Sequence, residues 1–270
     1  MIKLEKDSNG IININNLNVN LECLDPFSVK YRFVLNDKLY YFKSCSSEEM
    51  FNEIFACEFA DKFNYEHANY DVASLGYNIG VLSTSVNELN EEFIPLGNIT
   101  KFVHVNPSYI NTIESMDKKI LPKLCPFKKK EELIKYIRMF VFDILLANDD
   151  RHLDNAGFIK KGIHYRIAPL FDNGLIVSDT AINNQIYAQG VSNDLYDCYN
   201  NYVIEEFLCS KYSKILVEEL NKLSFEDLFN LVKDINDNYK YKFDLDYETN
   251  VLDKLNTNLD NLNNLKRKYY

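Results

Sequence analysis

Two short polar stretches hold most of the residues able to do chemistry. The first, Leu146-Ala147-Asn148-Asp149-Asp150-Arg151-His152-Leu153-Asp154-Asn155, sets Asp150 and Asn155 five residues apart. The second, Ala168-Pro169-Leu170-Phe171-Asp172-Asn173-Gly174, ends in Asp-x-Gly. Each follows an apolar element and a tight hairpin joins them, so Asp150, Asn155 and Asp172 are expected at one edge of a core. Carboxylate and amide oxygens there suit a hard cation such as Mg²⁺, which takes one or two carboxylates and leaves its other positions to water and phosphate. The spacing matches phosphoryl-transfer sites in which an Asp is the base, an Asn five residues on holds Mg²⁺, and a separate Asp before a Gly holds the bridging metal. Alone, Asp-x4-Asn is explained as readily by capping and turn hydrogen bonds in an Asn-rich chain. The two halves together, after a buried helix and downstream of a strand lysine, favour phosphoryl transfer.

These residues need elements to position them. Val29, Tyr31, Phe33 and Leu35 alternate with Lys30, Arg32 and Val34, Asn36-Asp37 supplies a turn, and Leu39-Tyr40-Tyr41-Phe42-Lys43 resumes the run, which predicts a hairpin with Lys43 near its end. Ser46 or Ser47 caps a helix whose apolar positions, Phe51, Ile54, Phe55 and Phe59, recur at helical spacing up to Phe63. Tyr77–Val86 returns to strand, and Pro95-Leu96-Gly97-Asn98 marks a loop. Beyond about residue 104 the character turns helical. Glu131–Asn148 is apolar most of the way round, the mark of a central buried helix. Strands at Gly157–Ile159 and Ile163–Ile167 flank Lys160-Lys161-Gly162. Helical patterns follow at Tyr202–Leu208, Lys214–Leu223 and Phe225–Ile235, and Leu252, Leu255, Leu259 and Leu262 form a core-facing stripe too short for a coiled coil.

The chain has 270 residues, 30 Lys+Arg against 40 Asp+Glu, and a formal net charge of -10. Such an acidic chain is repelled by phosphate backbones and anionic lipid, so nucleic-acid and membrane-surface binding are not expected. Six scattered cysteines without a Cys-x-x-Cys pair read as free thiols in a reducing compartment. The N-terminus lacks the apolar core of a signal peptide and no run approaches ~18 apolar residues, which makes a cytoplasmic location the expectation.

On Asn148-x-Asp150-Arg151-His152-x-x-Asn155 and Ile167-Ala168-Pro169-Leu170-Phe171-Asp172-Asn173-Gly174, the sequence resembles the HipA-like Ser/Thr kinases, in particular their short stand-alone members. Weaker matches are Ser28-x-Lys30-Tyr31, Tyr41-Phe42-Lys43, Asn52-Glu53 and Gly80-Val81-Leu82-Ser83; together they cover about residues 25–180, and the last third matches only as a helical region. The resemblance implies an α+β, two-lobed protein-kinase-like fold, with a β-rich small lobe at about 1–103 and a mainly helical large lobe at 104–270. It implies ATP in the cleft and γ-phosphate transfer to Ser or Thr of a protein. Lys43 would pair with the ATP phosphates and Glu53 would hold Lys43. Asp150 would deprotonate the attacking hydroxyl, Asn155 and Asp172 would ligate Mg²⁺, and backbone near Ser83, Thr84 and Val86 would meet adenine. An antitoxin-type regulator is a possible partner for such a chain. One departure is visible: Leu24-Asp25-Pro26-Phe27-Ser28-Val29-Lys30 has no Gly where such members carry a Gly-rich turn, so Ser28 and Lys30 would have to meet phosphate with side chains.

Blander readings stand beside these. A lysine ending a strand is usually a solvated edge charge, and Glu48, Glu49 and Glu58 share the helix of Glu53. His152 has no second His at ligand spacing, so it and Arg151 read as braces of the loop, while Asp149 and Asp154 read as solvated flanks and Lys128–Lys130 as a solvent face. The stretch Ser178–Tyr202, with Ser178, Thr180, Tyr187 and Ser192, reads by default as a surface loop and alternatively as an autophosphorylated one. Two rival functions are a small-molecule phosphotransferase and a pseudokinase that binds a partner, the latter motivated by the missing glycines.

Overall fold

Alternating aromatic and β-branched residues build the sheet that carries Lys43. The computed structural model describes residues 3–103, 113–148, 150–177, 186–189, 196–199, 204 and 207–270. These form two compact units: Met1–Asn90 with Pro169–Gly174 and Phe229–Thr249, and Glu91–Ala168 with Leu175–Leu228 and Asn250–Tyr270.

The first unit holds a six-stranded sheet in the order β1-β5-β6-β4-β3-β2, where β1 is Ile12–Asn13, β2 Glu22–Asp25, β3 Lys30–Leu35, β4 Lys38–Ser44, β5 Tyr70–Leu75 and β6 Asn78–Thr84. The β3–β4 hairpin is the expected one. Asn36 and Asp37 both take positive φ, 50° and 61°, as a two-residue hairpin turn requires. Strand β1 runs parallel to β5, and every other pairing is antiparallel. A core of Ile12, Ile14, Leu17, Phe33, Leu35, Phe42, Ala73 and Leu82 is buried in this unit. Helix α1 (Ser47–Lys62) starts where Ser46 Oγ accepts from the Glu49 N–H at 3.1 Å and packs on β5 and β6, burying Phe51, Phe55 and Phe59 completely. Gly80 lets β6 approach β4 at the lysine: a Cβ there would lie 2.0 Å from the Lys43 carbonyl oxygen.

The second unit begins with β7 (Glu92–Pro95), which pairs with β8 (Gly157–Lys161), itself paired with β9 (His164–Ile167). The loop expected at Pro95–Asn98 is a 3-10 turn over Leu96–Lys101. Short helices α2 (Ile113–Ser115) and α3 (Leu121–Leu124) flank a π-helical turn, Met116–Ile120. Helix α4 (Lys129–Leu146) buries Leu133, Ile137, Val141, Phe142, Ile144, Leu145 and Leu146, the central helix its pattern predicts. Strands β10 (Ile186–Gln189) and β11 (Tyr196–Tyr199) pair antiparallel inside the stretch read by default as a plain loop; Ser178, Thr180 and Ser192 lie outside the described residues, and of Tyr187 only the backbone is described. The helices expected near Lys214–Leu223 and Phe225–Ile235 are α5 (Ser213–Leu220) and α6 (Phe225–Asn238). Of the stretch Tyr202–Leu208, only residue 204 and residues 207–208 are described. The C-terminal stripe lies on α7 (Leu245–Tyr269), where Leu255, Leu259 and Leu262 are buried. Cys23, Cys45, Cys57, Cys125 and Cys209 are free thiols. Among the described residues no helix is long and apolar enough to cross a membrane.

Candidate active-site residues in the two units

In the first unit, residues far apart in sequence converge on the Asp-x-Gly turn. Lys43, near the end of β4, places its ammonium 2.5 Å from Glu49 Oε1 and 3.4 Å from Asp172 Oδ1. Burial pushes this ammonium toward the neutral form, but Asp172 and Glu49 more than offset it and raise its pKa. It is a fixed cation. Directly opposite Lys43 across the β3–β4 ladder stands Lys30. Like charges at facing positions repel, so the pair is best accommodated beside anions.

Three consecutive residues of the turn are held by side chains through their backbone. The Asp172 N–H donates to Tyr70 Oη at 2.7 Å, the Asn173 N–H to Glu53 Oε2 at 2.8 Å, and the Gly174 carbonyl accepts from Asn52 Nδ2 at 2.8 Å. Asp172 itself sits in the left-handed region at φ 55°, an uncommon conformation for a residue other than Gly that the surrounding bonds sustain. A Cβ at Gly174 would lie 2.7 Å from Glu49 Cγ, so a side chain there would displace Glu49.

The α1 carboxylate that pairs with Lys43 is therefore Glu49, one helical turn before the expected Glu53. Glu53 is 1% exposed and engages the Asn173 amide. Burial, helped by the negative charge of Asp172, pushes its pKa up to about 8. Sequence reasoning placed both glutamates on α1; residues four apart share a helix face, and only the position of the turn decides which one meets the lysine.

The other expected nucleotide contacts also belong to this unit. Ser83 and Thr84 end β6, with the Thr84 hydroxyl accepting from the Asn69 N–H at 3.0 Å, and Val86 follows, half-buried. The glycine-free turn closes on itself: the Phe27 N–H donates to Asp25 Oδ1 at 2.9 Å and the Ser28 hydroxyl to Asp25 Oδ2 at 2.7 Å, while Val29 takes φ 49°. Elsewhere in the unit Cys57, Asp61 and His67 bring potential ligand atoms together. His67 Nδ1 lies 2.8 Å from the Ala68 carbonyl and Nε2 lies 3.1 Å from Asp61, so both ring nitrogens are engaged, and burial pushes the Cys57 thiol up to about 12. That cluster is a structural tie.

In the second unit the Asp150 loop follows α4, whose C-cap Ala147 is left-handed. A buried ion pair braces it. Arg151 donates through Nε and Nη2 to Asp143 of α4 at 3.0–3.3 Å, and through Nη1 to the Asn155 carbonyl at 3.1 Å. Asn148 donates to Asp143 Oδ1 at 2.9 Å and accepts from the Asp150 N–H at 3.1 Å. Asn155 is buried and donates through Nδ2 to the Asp150 carbonyl at 3.2 Å, which turns Oδ1 to the other side. Arg151 is thus the brace expected of it, and the His152 ring contributes by accepting from the Asp154 N–H at 3.2 Å. Asp149 lies outside the described residues. Asp143, its partner in the brace, was missed; a carboxylate on the inward face of an apolar helix is the signal, since a buried charge demands a partner.

A sheet lysine, a carboxylate-bearing helix and an Asp-x-Gly turn in one unit, with a braced Asp-x4-Asn loop in the other, define a kinase-like α+β fold. The family model of the HipA-like C-terminal domain matches residues 38–205, and the chain belongs to that family. The match spans Lys43, Glu53, Asp150, Asn155 and Asp172. Among solved structures, the chain is similar to the Helicobacter pylori proinflammatory kinase CtkA, with a TM-score of 0.64 and 18% identity over 96% of this chain and 98% of that one. It is also similar to a chain of the Shewanella oneidensis MR-1 toxin–antitoxin complex of HipA, HipB and its operator DNA, with a TM-score of 0.48 and 14% identity over 86% of this chain and 60% of that one. No curated protein matches the chain.

Proposed function

We propose that the chain is an ATP- and Mg²⁺-dependent protein kinase that transfers the γ-phosphate to Ser or Thr. The observation that carries this is the pairing of Lys43 with Asp172 across 129 residues of sequence, on a turn whose backbone three side chains hold. A structural ion pair alone needs no such scaffold.

The chemistry of each expected metal ligand suits Mg²⁺: the Asp172 carboxylate of the first unit and the Asn155 amide of the second are both oxygen donors, poorly suited to softer ions. Mg²⁺, when bound, neutralises phosphate charge. Lys43 and Lys30 bind phosphate oxygens, and Ser83, Thr84 and Val86 supply backbone groups to adenine. The Asp150 carboxylate orients the attacking hydroxyl and accepts its proton, with Asn148 and Asn155 fixing its loop. Positioning and charge stabilisation dominate such a transfer, so each of these groups carries a large share of the rate. The acid excess of the whole chain favours a basic protein substrate, and an antitoxin-type regulator belongs to the same proposal.

One observation favours a second reading. Asp25 already engages the Phe27 amide and the Ser28 hydroxyl, groups that a phosphate-binding turn would offer to ATP, and this is what a pseudokinase with weakened nucleotide binding would show.

Labelled ATP and Mg²⁺, added to the purified protein with and without cell lysate, separate these readings. Label on protein Ser or Thr that Asp150→Asn abolishes is the expected result. Label confined to small molecules moves the assignment to a small-molecule phosphotransferase, and absence of both transfer and nucleotide binding leaves the pseudokinase.

A further inference from the structure

The Asp172 turn is held partly by a residue from the C-terminal third of the chain, where the sequence shows no motif. Asn52 of α1 is 4% exposed and faces two partners: its Nδ2 donates to the Gly174 carbonyl at 2.8 Å, and its Oδ1 accepts from Tyr247 Oη at 3.0 Å. A carbonyl can only accept, so it selects the amide nitrogen of Asn52, and Tyr247 must then donate to the amide oxygen. The chain of bonds has one direction, from Tyr247 through Asn52 to Gly174. Linked hydrogen bonds in a buried setting strengthen one another.

Tyr247 is itself anchored by aromatic packing. Its ring meets Phe51 of α1 edge-on, with centroids 6.0 Å apart at 89°, and Phe243 packs on Phe51 at 5.3 Å and 69°. Phe51 is fully buried. The first turn of α7 therefore supplies a hydroxyl at a fixed place beside the residue that bonds the Asp-x-Gly turn.

We infer that Tyr247 is a positioning residue for Asp172, acting through Asn52 and the Gly174 carbonyl, and that it sets the metal–nucleotide affinity of the site. This rests on the kinase reading for its metal role, while the relay itself does not. Removing the Tyr247 hydroxyl frees the Asn52 amide to rotate, loosens the bond to Gly174, and lets the carboxylate two residues upstream leave the place that Lys43 and Tyr70 define.

The test uses the full chain, with Tyr247→Phe and Asn52→Ala beside the wild type. Tyr247→Phe keeps the ring contact with Phe51, so folding is preserved. In the nucleotide-free protein, the Asp172 and Asn173 amides of Tyr247→Phe exchange with solvent about fivefold faster, the effect of weakening one hydrogen bond. With Mn²⁺ and ADP as probe, affinity falls about threefold to tenfold in Tyr247→Phe and about tenfold or more in Asn52→Ala, the range for groups that orient a metal ligand from outside its contacts. Unchanged amide exchange in Tyr247→Phe overturns the relay. Faster exchange with unchanged Mn²⁺–ADP affinity overturns its role in positioning Asp172. If the wild type binds no Mn²⁺–ADP, the kinase reading and the metal role fall together, and the exchange result still decides the relay.

Discussion

The Asp172 turn and the Asp150 loop are both held rigid, by opposite means. The loop rests on charge: Arg151 and Asp143 are both buried, and the guanidinium spans from α4 to the Asn155 carbonyl. The turn rests on bonds to backbone from Tyr70, Glu53 and Asn52, one of which is a carboxylate whose pKa stands near 8. Burial of Glu53, with Asp172 and Glu49 adding negative charge nearby, favours its protonated form against the opposing pull of the Asn173 amide and the Lys43 ammonium. At the loop burial also raises the Asp143 pKa, but there the Arg151 guanidinium and the Asn148 amide oppose the rise. The two scaffolds should thus fail differently, one on loss of a charge partner and the other on rising pH or crowding.

The largest effect is expected from Asp143→Ala, which leaves the Arg151 guanidinium buried without its carboxylate. Breaking a buried pair from one side costs about 3–5 kcal/mol, readable as a lower midpoint in chemical denaturation. A loss below about 1 kcal/mol would place the pair among exposed, screened ones and remove the contrast between the two regions. Gly174→Ala comes next: its methyl group meets Glu49 Cγ, and overpacking of this kind costs about 1–3 kcal/mol. Because Glu49 is the group displaced, nucleotide affinity should also fall, and a variant that is destabilised yet binds normally would detach Glu49 from the site.

A third effect is one of pH. Glu53 has its folded pKa raised from 4.5 to about 8. Between these values the folded chain holds a proton that the unfolded chain has released, so the stabilisation is complete below about pH 4.5 and is lost as pH rises through about 8. Glu53→Gln mimics the protonated form and should flatten the decline of stability across that window. An equally steep decline in the variant would assign the pH dependence elsewhere, Asp143 being the other buried carboxylate with a raised pKa.

Much of the fold is legible in the sequence where pattern and turn chemistry are local. The Asn36-Asp37 hairpin, the Ser46-capped α1, the apolar α4 and the β8–β9 hairpin follow from neighbours within a few residues. Strand β5 was not anticipated, and nothing local announces that β1 pairs with it in parallel some sixty residues away. The same divide runs through the site. Lys43, Asp150, Asn155 and Asp172 stand out by type and spacing. Glu49 against Glu53, Asp143 as the partner of Arg151, and Tyr247 behind Asn52 are choices made by tertiary contact, which spacing along one chain does not encode.

The contrast between turn and loop is tested most directly by calorimetric titration of Mg–ATP into the wild type, Asp172→Asn and Asp150→Asn. Asp172 is assigned to the metal and Asp150 to the incoming hydroxyl. The expected result is measurable binding to the wild type, a loss of about tenfold or more in Asp172→Asn, and near wild-type affinity in Asp150→Asn. Absence of binding to the wild type, or equal losses in both variants, would contradict the assignment of nucleotide and metal to the Lys43–Asp172 turn.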